Sequence, residues 1–343
     1  MTRRDNIFNR LDWFTLLLYF FLVITGWLNI YAAVYDETSA QSIFSLSVNS
    51  GRQLIWIGAS VIIILVILLI DLKFYDSFAW VFYGAMILSL IYVMIFARDI
   101  SGAKSWIEIG GARLQPSEFA KFTTALVIAK ILRDSGIRID KERILFQLAV
   151  VIALPMGLIV LQGDTGTALV FTAFIIVLYR EGLSPIPIIL GLVAAIIFIL
   201  TLLVNNHLYL YVPLLIIAVL LVLLGEKTFK RIALIAAGAM VIVGTIVSVD
   251  YIFENVLKPH QQNRVRALLN PNADPLGYGW NITQSKIAIG SGGFSGKGFL
   301  NGTQTKFDFV PEQSTDFIFC TIGEEHGWLG SLILIVAFMA LII

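Results

Sequence analysis

Seven long apolar runs, at 12–34, 52–70, 78–97, 186–204, 208–225, 231–249 and 316–343, constrain this chain more than any other feature. A bilayer core of ~30 Å is crossed by about 20 apolar residues of helix, and each run comes close to or passes that length. Three shorter runs lie at 117–132, 144–161 and 165–179, and between them hold Glu118, Lys121, Gln147, Pro155 and Gly157. Such residues suit helices that line a cavity better than helices facing lipid on every side. The expected architecture is all-α, a polytopic helical membrane protein of about ten spans in one domain, 1–343.

Composition agrees with this and closes other routes. With 58% hydrophobic and 14% charged residues among 343, the chain has too little polar surface to cover a soluble globule. The net charge of +1 says nothing about nucleic acid, but the basic residues are dispersed rather than gathered into a face, which argues against a nucleic-acid partner. Cys320 is the single cysteine, so no intrachain disulfide forms, and His207, His260 and His326 are too scattered to predict a side-chain metal site. Arg3, Arg4 and Arg10 precede the first run in the manner of a signal peptide. The run is too long for a signal core and lacks a clear cleavage site, so it reads as a retained span.

Charge asymmetry orients the spans. With the N-terminus inside, inward segments carry Arg3, Arg4, Arg10, Lys73, Arg133, Arg138, Lys141, Arg143, Arg180, Lys227, Lys230 and Arg231, whereas short outward loops hold Arg52, Arg98, Lys104 and Arg113. The long polar segment 250–315 then faces outward, together with 98–116, the start of the 117–132 helix and the turn Gln162-Gly-Asp-Thr-Gly166. The polar peculiarities of the chain share one side of the membrane, as a common site requires.

Four constellations carry chemistry. In Gln115-Pro-Ser-Glu-Phe-Ala-Lys121, Ser117 is a candidate helix cap and Glu118 favours the positive helix end. Lys121 lies three residues on, inside an apolar run, where it can pair with Glu118 and polarise a cavity. Trp106 upstream reads on spacing alone as an interfacial aromatic. In Leu161-Gln-Gly-Asp-Thr-Gly-Thr167, Asp164 either caps the following helix or holds an ion or hydroxyl at an outward helix gap. The long segment contains Asn301-Gly302, a hairpin-turn signal, and glycines at 290, 292, 293, 296 and 298 which, with Lys286 and Lys297, form a weak candidate phosphate nest. Gln284 to Ile289 is apolar enough for a short helix along the membrane surface. The fourth constellation is Val310-Pro-Glu-Gln-Ser-Thr-Asp-Phe-Ile-Phe-Cys320, which places Asp316 where water meets hydrocarbon. Asp316 or Ser314 would cap the last span, or a partly desolvated Asp316 would act as a general base. Glu324 and Glu325, about two turns deeper, are better suited to holding helices together than to meeting a substrate.

Taken in order, Gly-Ala-Lys-Ser-Trp-Ile, Gln-Pro-Ser-Glu-Phe-Ala-Lys, Asp-Thr-Gly-Thr, Asp-Pro-Leu-Gly-Tyr-Gly, Gln-Ser-Lys-Ile-Ala-Ile-Gly-Ser-Gly-Gly, Thr-Asp-Phe-Ile-Phe and Gly-Glu-Glu-His-Gly resemble the motifs of the SEDS family (shape, elongation, division and sporulation), polytopic peptidoglycan glycosyltransferases, over nearly the whole chain. The wording from Ala288 to Lys306 is more similar to the RodA branch than to the FtsW branch. The resemblance implies polymerisation of lipid II into β-1,4 glycan on the outer face of the bacterial cytoplasmic membrane, a part in cell elongation and shape, and a class B penicillin-binding protein as partner. It implies catalytic roles for Asp316, Glu118 and Lys121. The expected substrate contacts are Trp106, Lys104, Arg113, Ser117, Asp164, Gln284, Lys286 and Lys306. A divalent cation, Mg2+ or Mn2+, is the cofactor the diphosphate chemistry allows, with no protein ligand cluster to hold it. Rival readings are a lipid II flippase, a division polymerase of the FtsW kind and a non-catalytic scaffold. The chain departs from the family at Ser101, Ser105 and Ser314, where basic residues are common, in an apparent extra helix pair within 205–249, and in the absence of the family's C-terminal helices after the span that follows Asp316.

Overall fold

The computed structural model describes residues 12–35, 42–99, 103–109, 112–136, 139, 141–204, 206–225, 228–257, 259–270, 274, 276–277, 279–307 and 309–343. Arg3, Arg4, Arg10, Ser101, Arg138, Lys227 and Lys258 therefore lie outside the described residues. The chain forms two compact units, Met1–Leu69 with Gln261–Ile343, and Ile70–His260.

In the first unit, α1 (Trp13–Ala33) packs on α2 (Asn49–Leu69) and on α13 (Ile318–Ile342), and α12 (Trp280–Ser291) packs on α13. Asp12 starts α1 by accepting from the backbone of Phe14 and Thr15 at 3.1 and 3.3 Å, which satisfies two of the donors every helix start leaves free. The far end of α1 is closed by Gln313, whose amide donates to the carbonyl of Ala33 at 2.9 Å. A helix of 11 residues, α11 (Pro259–Leu269), leads into this unit.

In the second unit, α3 (Leu72–Phe96), α4 (Pro116–Asp134) and α5 (Glu142–Leu161) pack on one another around Leu90, Val127, Leu148, Ile159 and Phe171, all fully buried. Pro155 lies inside α5 and has no N–H for the carbonyl four residues back, at Val151. The Tyr83 hydroxyl of α3 takes that place, donating to the Val151 carbonyl at 3.1 Å, the compensation a broken ladder needs in hydrocarbon. Two short helices follow, α6 (Thr165–Val170) and α7 (Ala173–Arg180), and then α8 (Ile186–Leu203), α9 (Leu208–Leu223) and α10 (Phe229–Tyr251), which ends in a π-helical turn over Ile252–Val256. Leu190, Leu192, Ile216 and Met240 on these helices are exposed, as lipid-facing side chains are in a chain of this kind.

Seven helices among the described residues are long and apolar enough to cross a membrane: α1, α2, α3, α5, α8, α10 with its π turn, and α13. The chain is thus a multi-pass membrane protein. The other three runs of the ten read from sequence differ. The 208–225 run folds as the 16-residue α9, the 165–179 run divides into α6 and α7, and the 117–132 run becomes α4, 19 residues long but interrupted by charge.

Candidate functional site

In the second unit the outward-assigned residues gather around the ends of α3, α4 and α6. Ile107–Ile109 (β1) and Ala112–Leu114 (β2) form a small antiparallel hairpin with Glu108 opposite Arg113, and the two side chains pair at 3.2 Å. Before it, Trp106 lines a cavity of about 320 Å3 with Tyr92, Phe96, Arg98 and Glu108. Sequence reasoning singled out Trp106 but missed the hairpin and placed Arg98 only as an outward charge. The Gly-Gly pair at 110–111 between Ile-Glu-Ile and Ala-Arg-Leu was the available signal. Lys104 is exposed and its backbone N–H donates to the Gln162 carbonyl at 2.9 Å, which ties this loop to the turn before α6.

Asp164 is the N-cap of α6, accepting from the Thr167 backbone at 3.0 Å and the Thr167 hydroxyl at 2.8 Å. Its second oxygen also accepts from Gln115 Nε2 at 2.8 Å, so the acid binds the start of α4 to the start of α6. The capping alternative for Asp164 is therefore realised. Ser117 is a correction: α4 is capped at Gln115, with Pro116 as its first residue, and Ser117 points inward, fully buried, its hydroxyl unpartnered among the described residues. Glu118 and Lys121 pair at 2.7 Å on one face of α4, Lys121 the more buried of the two.

In the first unit, the stretch 293–305 of the polar segment expected to be a loop is held by α13. The backbone of α13 breaks at Gly327, with φ +64° and ψ −158°, a conformation reserved in practice for glycine. A side chain at Gly327 would also run into Gly296 and Phe294. Through this break the backbone N–H groups of Lys297 and Gly298 donate to the carbonyls of Glu324 and Glu325, and those of Trp328 and Leu329 donate to Gly293 and Phe294. The nest expectation fails here, because the N–H groups of Lys297 and Gly298 are spent on α13 and those of Gly292, Gly293 and Gly296 on the carbonyls of Ile289, Gly290 and Gly292. Asn301-Gly302 makes no hairpin either. Its surroundings wrap Glu324, a fully buried carboxylate that accepts from the backbones of Thr303, Gln304 and Thr305 at 2.8, 2.8 and 3.0 Å and from Lys297 Nζ at 2.6 Å. The hydroxyls of Thr303 and Thr305 add to the shell at 3.2 and 3.0 Å, with that of Ser291 at 3.5 Å. Glu324 thus holds loop to helix.

Asp316 stands exposed in the turn ahead of α13. Neither it nor Ser314 caps the helix, whose N-cap is Phe317 with no side-chain bond. Ser314 instead accepts from Asn49 Nδ2 at 2.9 Å. Beside the turn, Tyr35, Lys306, Glu312 and Ser314 line a polar cavity of about 590 Å3, with the Lys306 ammonium 5.3 Å from the centre of the Tyr35 ring. Gln284, half-buried, and Lys286, exposed, ride on α12, which docks on α13 through Ala288, Val310 and Cys320. Gln284 to Ile289 is helical, within the longer α12.

Fold and site define a helical, multi-pass membrane protein whose glycine-rich polar segment is built into a break in α13. The chain belongs to the cell-cycle protein family of FtsW, RodA and SpoVE, whose model matches residues 12–213 and 186–343. It is 34% identical over 324 residues to the peptidoglycan glycosyltransferase RodA of Treponema pallidum (strain Nichols), covering 82% of this chain and 70% of that protein. Against the peptidoglycan glycosyltransferase MrdB of Escherichia coli (strain K12) it is 31% identical over 331 residues, 94% of this chain and 72% of the other. Its fold is similar, with a TM-score of 0.59 at 22% identity, to a chain in a solved peptidoglycan synthase complex that coordinates polymerization and crosslinking, covering 96% of this chain and 75% of that one.

Proposed function

We propose that this protein is a peptidoglycan glycosyltransferase of the elongation type, joining lipid II units on the outer face of the cytoplasmic membrane with its N-terminus inside. The observation that carries the site assignment is Asp316: an exposed carboxylate engaged by no other described residue, at the head of a span whose neighbouring loop is held rigidly by buried bonds. A base must be open to the proton it takes, and its support must not move.

In the reaction the acceptor sugar hydroxyl attacks the anomeric carbon of the donor. The new O–C bond forms as the bond to diphosphate breaks, the electron pair leaves with undecaprenyl diphosphate, and Asp316 receives the hydroxyl proton and passes it to water. Attack opposite the leaving group inverts an α-linked donor to a β-1,4 product. Lys121, steadied by Glu118, stabilises charge growing on the diphosphate, with Arg113 and Lys104 as supporting cations. Trp106, Gln284, Lys286 and Lys306 serve as substrate contacts, whereas Ser117, fully buried, is not among them. Asp164 serves indirectly, as the joint between α4 and α6. No group of three His, Cys, Asp or Glu gathers for a metal among the described residues; a Mg2+ or Mn2+ at the diphosphate would be held chiefly by the oxygens of the substrate. The likeness to a chain of a synthase complex in which polymerization is coordinated with crosslinking supports a class B penicillin-binding protein as partner.

The test is polymerisation of labelled lipid II by purified protein, with and without a partner transpeptidase. Asp316→Asn is expected to lower the rate by about 10²–10⁴-fold. Unchanged polymerisation by Asp316→Asn would remove Asp316 from the role, and lipid II translocation without polymerisation by the wild type would favour a flippase.

A further inference from the structure

Glu312 is one of two described residues other than glycine with positive φ, at +54°. A side chain in this left-handed region is disfavoured, and it persists where surrounding bonds over-determine it, most often at functional sites. The bonds here converge on Glu312 itself. Its carbonyl accepts the backbone N–H of Thr315 and of Phe317, both at 3.1 Å. The Thr315 hydroxyl reaches the same residue twice, 3.3 Å from the carbonyl and 3.1 Å from the carboxylate. Asp316 lies between the two residues so held. Its side chain is engaged by no other described residue, so the direction of its Cα–Cβ bond is set by the turn.

We propose that Glu312 is a positioning residue for Asp316. Its left-handed backbone aims one carbonyl at both neighbours of the acid, and its carboxylate locks Thr315 against rotation. This inference rests on Asp316 being the base. A base must reach the acceptor hydroxyl within hydrogen-bond distance, so a turn that drifts lowers kcat while substrate contacts elsewhere keep KM.

The experiment measures steady-state lipid II polymerisation by the full chain under conditions where the wild type is active, with thermal melting of each variant. Glu312→Ala and Thr315→Val are each expected to lower kcat by about 10- to 100-fold with KM unchanged. The double variant should be no slower than the worse single one, because both cut the same lock. Glu312→Gln and Thr315→Ser, which keep an acceptor and a hydroxyl in place, should return kcat to within about threefold of wild type, a rescue that general loosening would not give. Asp316→Asn is run in parallel. Activity in Asp316→Asn overturns the base assignment and this inference with it. An inactive Asp316→Asn beside wild-type kcat in Glu312→Ala or Thr315→Val overturns the inference alone, as does a double variant whose losses multiply. If Glu312→Ala or Thr315→Val melts early, the conservative pair decides: loss of kcat in a normally melting Glu312→Gln and Thr315→Ser refutes the lock.

Discussion

Replacing Glu324 by alanine offers the severest test of how the polar segment is held. The carboxylate is fully buried and serves three backbone N–H groups, two threonine hydroxyls and the Lys297 ammonium. A buried donor left without an acceptor costs about 1–3 kcal/mol, and Glu324→Ala strands three in the backbone alone. Lys297, 28% exposed at its side chain, can turn to water, so its share is smaller. The loss is on the order of 5 kcal/mol, comparable to the whole stability of a marginal domain. It should appear as local opening around 297–306 rather than melting of the spans, which keep their own packing. Hydrogen exchange in detergent or nanodiscs reads this directly. Protection at Thr303, Gln304 and Thr305 should fall by about 10³–10⁴-fold, since about 1.4 kcal/mol corresponds to each tenfold change. Glu324→Gln retains one acceptor oxygen and should lie between the two. Exchange at these three amides within about threefold of wild type in Glu324→Ala would refute the account.

Three further outcomes follow from the geometry. Lys121→Met should lower polymerisation by about 10²–10³-fold, yet shift melting little, because a partly exposed ion pair contributes about 0–1 kcal/mol; a melting shift as large as that of Glu324→Ala would make the pair structural. Gly327→Ala forces a side chain into a glycine-only conformation against Gly296 and Phe294, and should lose at least about 1–3 kcal/mol in chemical or thermal unfolding. Asp164→Ala removes a helix cap and the bridge to Gln115, for a loss of about 1–2 kcal/mol and increased protease sensitivity near 162–167.

Much of the fold was legible because hydrocarbon is a simple solvent: it demands long apolar helices, and the runs at 12–34, 52–70, 78–97, 144–161, 186–204, 231–249 and 316–343 all overlap helices long and apolar enough to cross. The Glu118–Lys121 pair was equally readable, since residues three apart share a helix face. The glycine run misled. Positive φ and close approach both select glycine, and sequence cannot tell a loop open to phosphate from one pressed against a neighbour. Ser117 misled likewise, because Gln115-Pro-Ser offers two starts within one turn, and burial against the unit's core decided which was used.

By itself, then, the sequence determined the membrane class, the helical spans, the family motifs and the candidate acid at 316, all of which rest on local composition and spacing. Only the tertiary structure decided that Glu324, 19 to 27 residues from its partners in the loop, is the anchor of that loop, that Asp164 joins two helices across 49 residues, and that Glu312 carries the turn of Asp316. The physical reason is that a buried carboxylate has no local preference for its donors. It takes those that folding brings within about 3 Å, and a left-handed backbone likewise exists only where the surrounding bonds hold it.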